Sequence, residues 1–232
     1  MSGREAVGSG PANKRLRNRI VEPEILDSLS PNDPIALASR RDIWILNHLM
    51  GNFRWMGKAL AALPERSSII ELAAGDGAMG LYLLKHKIVS LEDRYTGVDF
   101  INRPDEWPEQ WDWMSSDLMQ ADLSRYQVLL ANLILHQLED EQLQAVGDCI
   151  RASTIKHVLI CEPSRSRLSL FMIPFSRLLR VHPVTLHDAR VSIRAGFRGR
   201  ELAGLLGLDE REWNIHYSKG LFGSYRLACT RR

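Results

Sequence analysis

The spacing of apolar residues changes character near Pro64. Before it, from Asp33 to Leu63, apolar residues recur at steps of three and four: Ile45, Leu49, Phe53, Met56, Leu60 and Leu63. That period predicts helix with one apolar stripe packed on the core. Gly51-Asn52 is a natural place for the run to split into two helices. Beyond Pro64, short apolar runs alternate with amphipathic ones. "SSIIELAA", "RYTGVDF", "WDWMSSDL", "YQVLLANLILH" and "HVLICEP" read as strands, the fourth apolar enough to be buried on both faces. "AMGLYLLKH" and "EDEQLQAVGDCIR" read as helices, the second with Leu143, Val146 and Ile150 on one face and acids in its first turn. Alternating strands and helices predict a parallel sheet with right-handed crossovers, an α/β doubly wound, Rossmann-like architecture.

The last third reads differently. "RSRLSLFMIPFSRLLR" predicts a helix with Leu168, Phe171, Phe175 and Leu178 on one face and a kink at Pro174. The segment "VHPVTLHDARVSIRAGF" reads as a loop, and "GRELAGLLGL" as a helix. "EWNIHYSKGLFGSYRLACTRR" predicts two strands around Lys219-Gly220, a hairpin closing the sheet edge. The expected organisation is a basic flexible tail over residues 1–19, a helical cap over 20–64 and a ligand-binding domain over 65–232.

Composition narrows the function classes. With 45% hydrophobic and 25% charged residues, the 232-residue chain is of globular type. A net charge of +2 is too small to argue for nucleic acid as a partner. Cys149, Cys161 and Cys229 are odd in number and fit no metal pattern, so no metal is expected and the thiols are read as buried in a reducing, cytoplasmic setting. No apolar run has the length of a membrane span.

The chemistry concentrates in "IIELAAGDGAMG". Gly75-x-Gly77-x-x-Gly80 fits a dinucleotide fingerprint. Charge argues otherwise. Asp76 lies inside the loop and Glu71 at the end of its strand. Two like charges about 4 Å apart cost on the order of 4 kcal/mol at an effective dielectric near 20, which disfavours a pyrophosphate. A sulfonium and an ammonium reverse that sign. Asp99, ending the second strand, suits ribose hydroxyls of either nucleoside. Asp117 can take an adenine amino group beside the backbone N–H of Leu118, or simply cap a turn.

"IIELAAGDGAMG", "YTGVDF", "SSDL" and "YQVLLANLILHQLEDEQL", in that order, resemble class I S-adenosylmethionine-dependent methyltransferases over roughly residues 67–231. Ala73 stands where the family's first loop glycine is usual. The resemblance implies a seven-stranded, mostly parallel sheet whose antiparallel last strand inserts between the fifth and sixth. It also implies roles. Glu71 anchors the donor's amino-acid end, Gly75 and Gly77 admit the methionine and ribose portions, and Asp99 takes the ribose. Phe100 packs on adenine or in the core, Asp117 takes the adenine amino group, and Asn132 lies near the donor ammonium.

His136, four residues past Asn132, is the candidate general base; the alternative is a histidine bonded to backbone. Glu162 either orients an acceptor or pairs with Arg165, the pair being favoured. Arg194 either clamps an anionic acceptor or forms a surface salt bridge, the latter favoured. "ANLILH" lacks the Asn/Asp-Pro-Pro-aromatic turn of amino-group methylases. Together with "CEPSRSRLSL" and "HDARVSIRAGFRGREL" it resembles bacterial methyltransferases of small secondary metabolites, which implies O-methylation of an aromatic or lipophilic acceptor. The segment "LSLFMIPF" is read as roofing the pocket or joining a homodimer, in preference to lying on a lipid surface. A catalytically silent donor-binding scaffold and an NAD-linked oxidoreductase are the rival readings.

Overall fold

A computed structural model describes residues 16–30, 32–64, 67–176 and 180–232. The expected tail over 1–19 lies largely outside the described residues, as do Leu178 and the side chain of Phe175. Seven strands form one sheet: β1 (Ser68–Leu72), β2 (Arg94–Asp99), β3 (Asp112–Ser115), β4 (Val128–Asn132), β5 (His157–Pro163), β6 (Trp213–Lys219) and β7 (Ser224–Arg231). Their order is β3-β2-β1-β4-β5-β7-β6. The first five are parallel, and β7 runs antiparallel between β5 and β6. This is the sheet expected from the sequence, hairpin included. β1, β4 and β5 are buried on both faces, as their continuous apolar runs require.

Among the described residues seven α-helices flank the sheet: α1 (Pro34–Leu49), α2 (Asn52–Ala61), α3 (Ala78–Lys85), α4 (Asp140–Ala152), α5 (Arg167–Ser176), α6 (Pro183–Ala195) and α7 (Glu201–Leu205). Asp33 caps α1 by accepting from the Ile35 N–H at 2.7 Å, and Gly51, at φ +67°, separates α1 from α2. On one face of the sheet, α2 and α3 enclose a core of Phe53, Met56, Leu60, Met79 and Leu83 over Ile69, Leu130, Leu159 and Cys161. On the other, α4 and α7 bury Leu143, Val146, Ile150, Leu202 and Leu206. Among the described residues no helix is long and apolar enough to cross a membrane.

Three expectations change. The stripe from Ile45 to Leu63 does not continue through the helix pair. Gly51 resets the helical phase, so Phe53, Met56 and Leu60 are buried while Leu49 is 46% exposed. The buried face of α1 is Ala36, Ser39, Asp42 and Asn47, held by Asp42 to the His182 N–H and the Thr185 hydroxyl. The supposed loop after α5 is the helix α6; Pro183 sits at its first turn and the His182 side chain caps it. Cys149 is exposed, whereas Cys161 and Cys229 are buried thiols.

Candidate functional site

The carboxyl ends of β1, β2 and β4 converge on the glycine loop. Glu71 precedes it at 3% exposure, accepting from the Tyr95 hydroxyl at 2.6 Å. Burial pushes its carboxyl up to about 8; the Tyr95 and Gly80 hydrogen bonds oppose that, and the Asp76 and Asp99 carboxylates add to it. Glu71 is therefore held protonated at neutral pH. Ala73 adopts φ +51° and Gly75 φ +60°, so the loop uses left-handed backbone at a position where this chain carries a side chain. A Cβ at Gly75 would meet nothing within 4 Å, which leaves open space above the backbone. Gly77 serves another end: its Cβ would strike the Trp107 ring at 2.7 Å.

Asp99 locks the loop. Its carboxylate accepts from the Gly75 N–H at 2.8 Å and the Ile101 N–H at 3.1 Å, leaving one lone pair on each oxygen for further donors. Asp76 is exposed and accepts from the Ala78 N–H at 3.2 Å. A carboxylate thus already occupies the helix N-terminus on which a pyrophosphate would rest. Phe100 is 74% exposed, so its ring is a free face at the cleft and not core. Asp117 caps a short 3-10 turn at Leu118–Gln120, accepting from Met119 N–H at 2.9 Å; Leu118 opens that turn. Asn132 ends β4, and its buried Oδ1 has no hydrogen-bond partner.

The residues assigned to the acceptor resolve differently. Glu162, fully buried, accepts from the Ile134, Leu135 and His136 backbone N–H groups at 3.0, 2.8 and 3.3 Å, and lies 2.6 Å from His136 Nδ1. It thereby holds the loop after β4, in which Leu133 has φ +59°. The other imidazole nitrogen lies 3.2 Å from Glu24 Oε1. Burial alone would lower the His136 pKa, but Glu162 and then Glu24 overcome this and raise it to about 9. With both nitrogens engaged and protonated, His136 has no lone pair for a general base and is the cation of a buried carboxylate pair.

The favoured Glu162–Arg165 ion pair does not form. Arg165, 2% exposed, instead binds Glu201 at 2.7 and 2.9 Å and the Gly196 carbonyl, tying β5 to α6 and α7. Arg194 lies 3.7 Å from Glu22 at the surface, the plainer of its two expected roles. Two contributors escaped the sequence reading, Tyr95 and Glu24, and a third, Asp188, lies in the segment read as a loop. Tyr95 reaches Glu71 from the neighbouring strand. Glu24 and Asp188 seat the N-terminal segment, Asp188 accepting from the Ile25 and Leu26 N–H groups at 3.0 Å each. Nothing in their local spacing marks them, because each partner is distant along the chain.

No family model and no curated protein matches the sequence. Solved structures do match. The plantazolicin methyltransferase BamL, in complex with a triazolic desmethylPZN analogue and SAH, superposes with a TM-score of 0.65 at 9% identity, covering 89% of this chain and 92% of that one. BpumL, with a monoazolic analogue and SAH, gives 0.61 at 12% identity over 85% and 95%. The methyltransferase domain of bacterial CtHen1 gives 0.57 at 20% identity over 78% and 98%. The chain has the class I methyltransferase fold. In a methyltransferase fold of this topology, the glycine loop, Asp99 and Asn132 all lie at the carboxyl edge of the sheet, where open α/β sheets bind ligands.

Proposed function

We propose that this protein is an S-adenosylmethionine-dependent methyltransferase acting on a small acceptor, by O-methylation of an aromatic or lipophilic metabolite. The observation that carries the reading is the charge and the unspent hydrogen-bonding capacity gathered at the carboxyl edge of the sheet. Open space over Gly75, spare lone pairs on Asp99 and the unpartnered Asn132 oxygen call for a ligand rich in donors. The surrounding acids Glu71, Asp76 and Asp99 call for a cationic one. S-adenosylmethionine brings ribose hydroxyls, an ammonium and an activated methyl on sulfonium. Asp99 would hold the ribose, Asn132 the ammonium, and Phe100 would lie on the adenine. Asp117 and Leu118 would receive the amino edge of the adenine. Glu71, behind the loop, supplies a carboxylate once the cation is present.

The protein's own part is alignment and exclusion of water. With His136 committed to Glu24 and Glu162, an acceptor of low pKa, whose proton leaves to solvent, suits this site better than an unactivated alcohol. Division into a tail over 1–19, a cap over 20–64 and a donor-binding domain over 65–232 remains our organisational proposal; Glu24 joins the cap to His136 and Ser192, Asp42 joins it to His182 and Thr185 of α6's start, and Asn52 joins it to Ser224 of β7. The rival is a donor-binding scaffold without turnover. Incubation with methyl-labelled donor and a small-molecule extract tests the proposal: label in a protein-dependent small product supports methyl transfer. Tight donor binding with no labelled product from any extract favours the scaffold.

A further inference from the structure

Three stretches of this chain, residues 43–64, 163–187 and 213–226, hold eight Lys and Arg and not one Asp or Glu. With eight positive charges there and a net charge of +2 overall, the rest of the chain carries −6. The structure joins the three stretches at one corner of the sheet's carboxyl edge, where Pro163 of β5 pairs with Ser224 of β7. The Arg226 guanidinium donates to the Met50 and Gly51 carbonyls at 2.7 and 3.2 Å, between α1 and α2, and a Cβ at Gly220 would stand 2.8 Å from its Cζ. The Ser224 hydroxyl donates to Asn52 of α2 at 2.6 Å. The Ser164 N–H, just past β5, donates to the Gly223 carbonyl at 2.7 Å, and a Cβ at Gly223 would collide with the Ser169 hydroxyl of α5. The end of α1, the β6–β7 turn and the start of α5 are therefore neighbours.

Each of these elements turns large apolar side chains to solvent. Leu49 ends α1 at 46% exposure, Leu168 and Phe171 lie one turn apart on α5 at 62% and 65%, and Phe222 in the β6–β7 turn is 52% exposed. On α5 the buried positions are Ser169 and Ile173, so Leu168 and Phe171 form its outward face. Phe222 has φ +63°, left-handed backbone that disfavours any L-residue, and its ring gains little burial in return. Arg54, Arg167 and Lys219 are exposed beside these residues. Exposed Leu and Phe interleaved with Arg and Lys, with no acid nearby in sequence, is the composition of a lipid-surface contact. A protein interface would instead exclude Lys.

We propose that this corner docks on an anionic lipid bilayer, with Leu49, Leu168, Phe171 and Phe222 entering the interface and Arg54, Arg167 and Lys219 meeting the headgroups. This reverses the preference drawn from the sequence of "LSLFMIPF". A second copy is a poor occupant, because the two-fold of a dimer would set cations against cations. Among the described residues no helix can cross the bilayer, so the contact is peripheral. The corner shares the sheet edge that carries the glycine loop, so a lipophilic acceptor would be collected at the bilayer surface. That use rests on the methyl-transfer reading; the contact itself does not.

The test mixes the full chain with vesicles of phosphatidylcholine alone, or of phosphatidylcholine and phosphatidylserine in equal parts, and reads binding by flotation across a lipid titration. The mixed vesicles should bind at least tenfold more tightly, and high salt should erase the difference. Leu168→Gln with Phe222→Gly removes two apolar tips and should weaken binding at least tenfold; glycine suits the left-handed position, so this variant should fold. Arg167→Glu with Lys219→Glu should abolish the preference for phosphatidylserine, since each cation near an anionic surface is worth about fivefold in affinity. No binding to either vesicle, or full binding by both double variants, overturns the proposal. With vesicles ignored, a dimer that the apolar variant converts to monomer in sedimentation velocity assigns the corner to a second copy. Likewise, poly-glutamate bound by the wild type and not by the charge variant, with vesicles ignored, points to an acidic protein. Either result overturns the lipid assignment. Thermal stabilisation by S-adenosylhomocysteine is read in parallel. Vesicle binding without it sinks the donor reading and leaves the surface standing; stabilisation with vesicles ignored sinks only the surface.

Discussion

Replacing Glu71 by glutamine should stabilise the free protein at neutral pH while weakening its hold on the donor. The native carboxyl titrates at about 8 against 4.5 in a free chain. At pH 7 the unfolded chain carries Glu71 ionised, and folding must load a proton onto it. Each pH unit above the unfolded value costs about 1.4 kcal/mol, so the load at pH 7 is about 3 kcal/mol. Below pH about 4.5 both states are protonated and the load vanishes; above about 8 it stops growing. Stability is thus fully present in acid and declines as pH rises through the window between those values. Glutamine still accepts from Tyr95 and takes up no proton, but its amide donors are left buried, which costs about 1–2 kcal/mol. Urea unfolding at pH 5, 6.5 and 8 reads the difference. The variant should gain on the wild type by roughly 1 kcal/mol per pH unit across this range and overtake it at about pH 5.5–6, well before neutrality. Parallel stability curves would refute the claim that a buried, proton-loaded carboxyl lies behind the glycine loop. In the wild type, donor binding should release a proton and tighten as pH rises toward 8, readable by calorimetry in two buffers of different ionisation enthalpy; the glutamine variant should do neither.

Three further outcomes follow from the same geometry. Ala73→Gly should raise stability by about 1 kcal/mol in urea unfolding, because φ +51° is left-handed backbone that costs an L-residue roughly 1–2 kcal/mol. Wild-type stability should also fall as pH rises through about 9, where His136 loses its proton between Glu162 and Glu24, having been fully present below the free-histidine 6.5. Glu162→Gln should remove that alkaline limb and cost about 3 kcal/mol or more at pH 7, as expected when one member of a buried charge pair goes. Asp99→Ala should reduce donor affinity at least tenfold, since it frees the Gly75 N–H as well as removing the ribose acceptor; a thermal-shift titration measures it.

The sheet was legible because its information is local. Period-two and continuous apolar runs bounded by turns marked every strand, and Gly51 marked the break between α1 and α2. The surroundings of the glycine loop were legible for a similar reason: the glycines and Asp76 follow one strand end and Asp99 closes another, and their neighbours announce them. The residues assigned to the acceptor were not. His136 looks like a base in sequence because it follows a strand end, yet its chemistry is set by Glu24, 112 residues away, and Glu162, 26 residues away. Arg165 has Glu162 close by in sequence but finds Glu201 in space. The helix α6 was read as a loop because its inward face includes Thr185 and Asp188, whose burial is repaid by Asp42, Ser39 and the Ile25 and Leu26 N–H groups. Polar residues buried by distant partners carry no periodic apolar signal.

The most direct measurement is a thermal-shift comparison of S-adenosylmethionine, S-adenosylhomocysteine and NAD on the intact chain. The charge arrangement at Glu71, Asp76 and Asp99 predicts stabilisation by the first two and none by NAD. Stabilisation by NAD, with both sulfur nucleosides inert, would contradict the account.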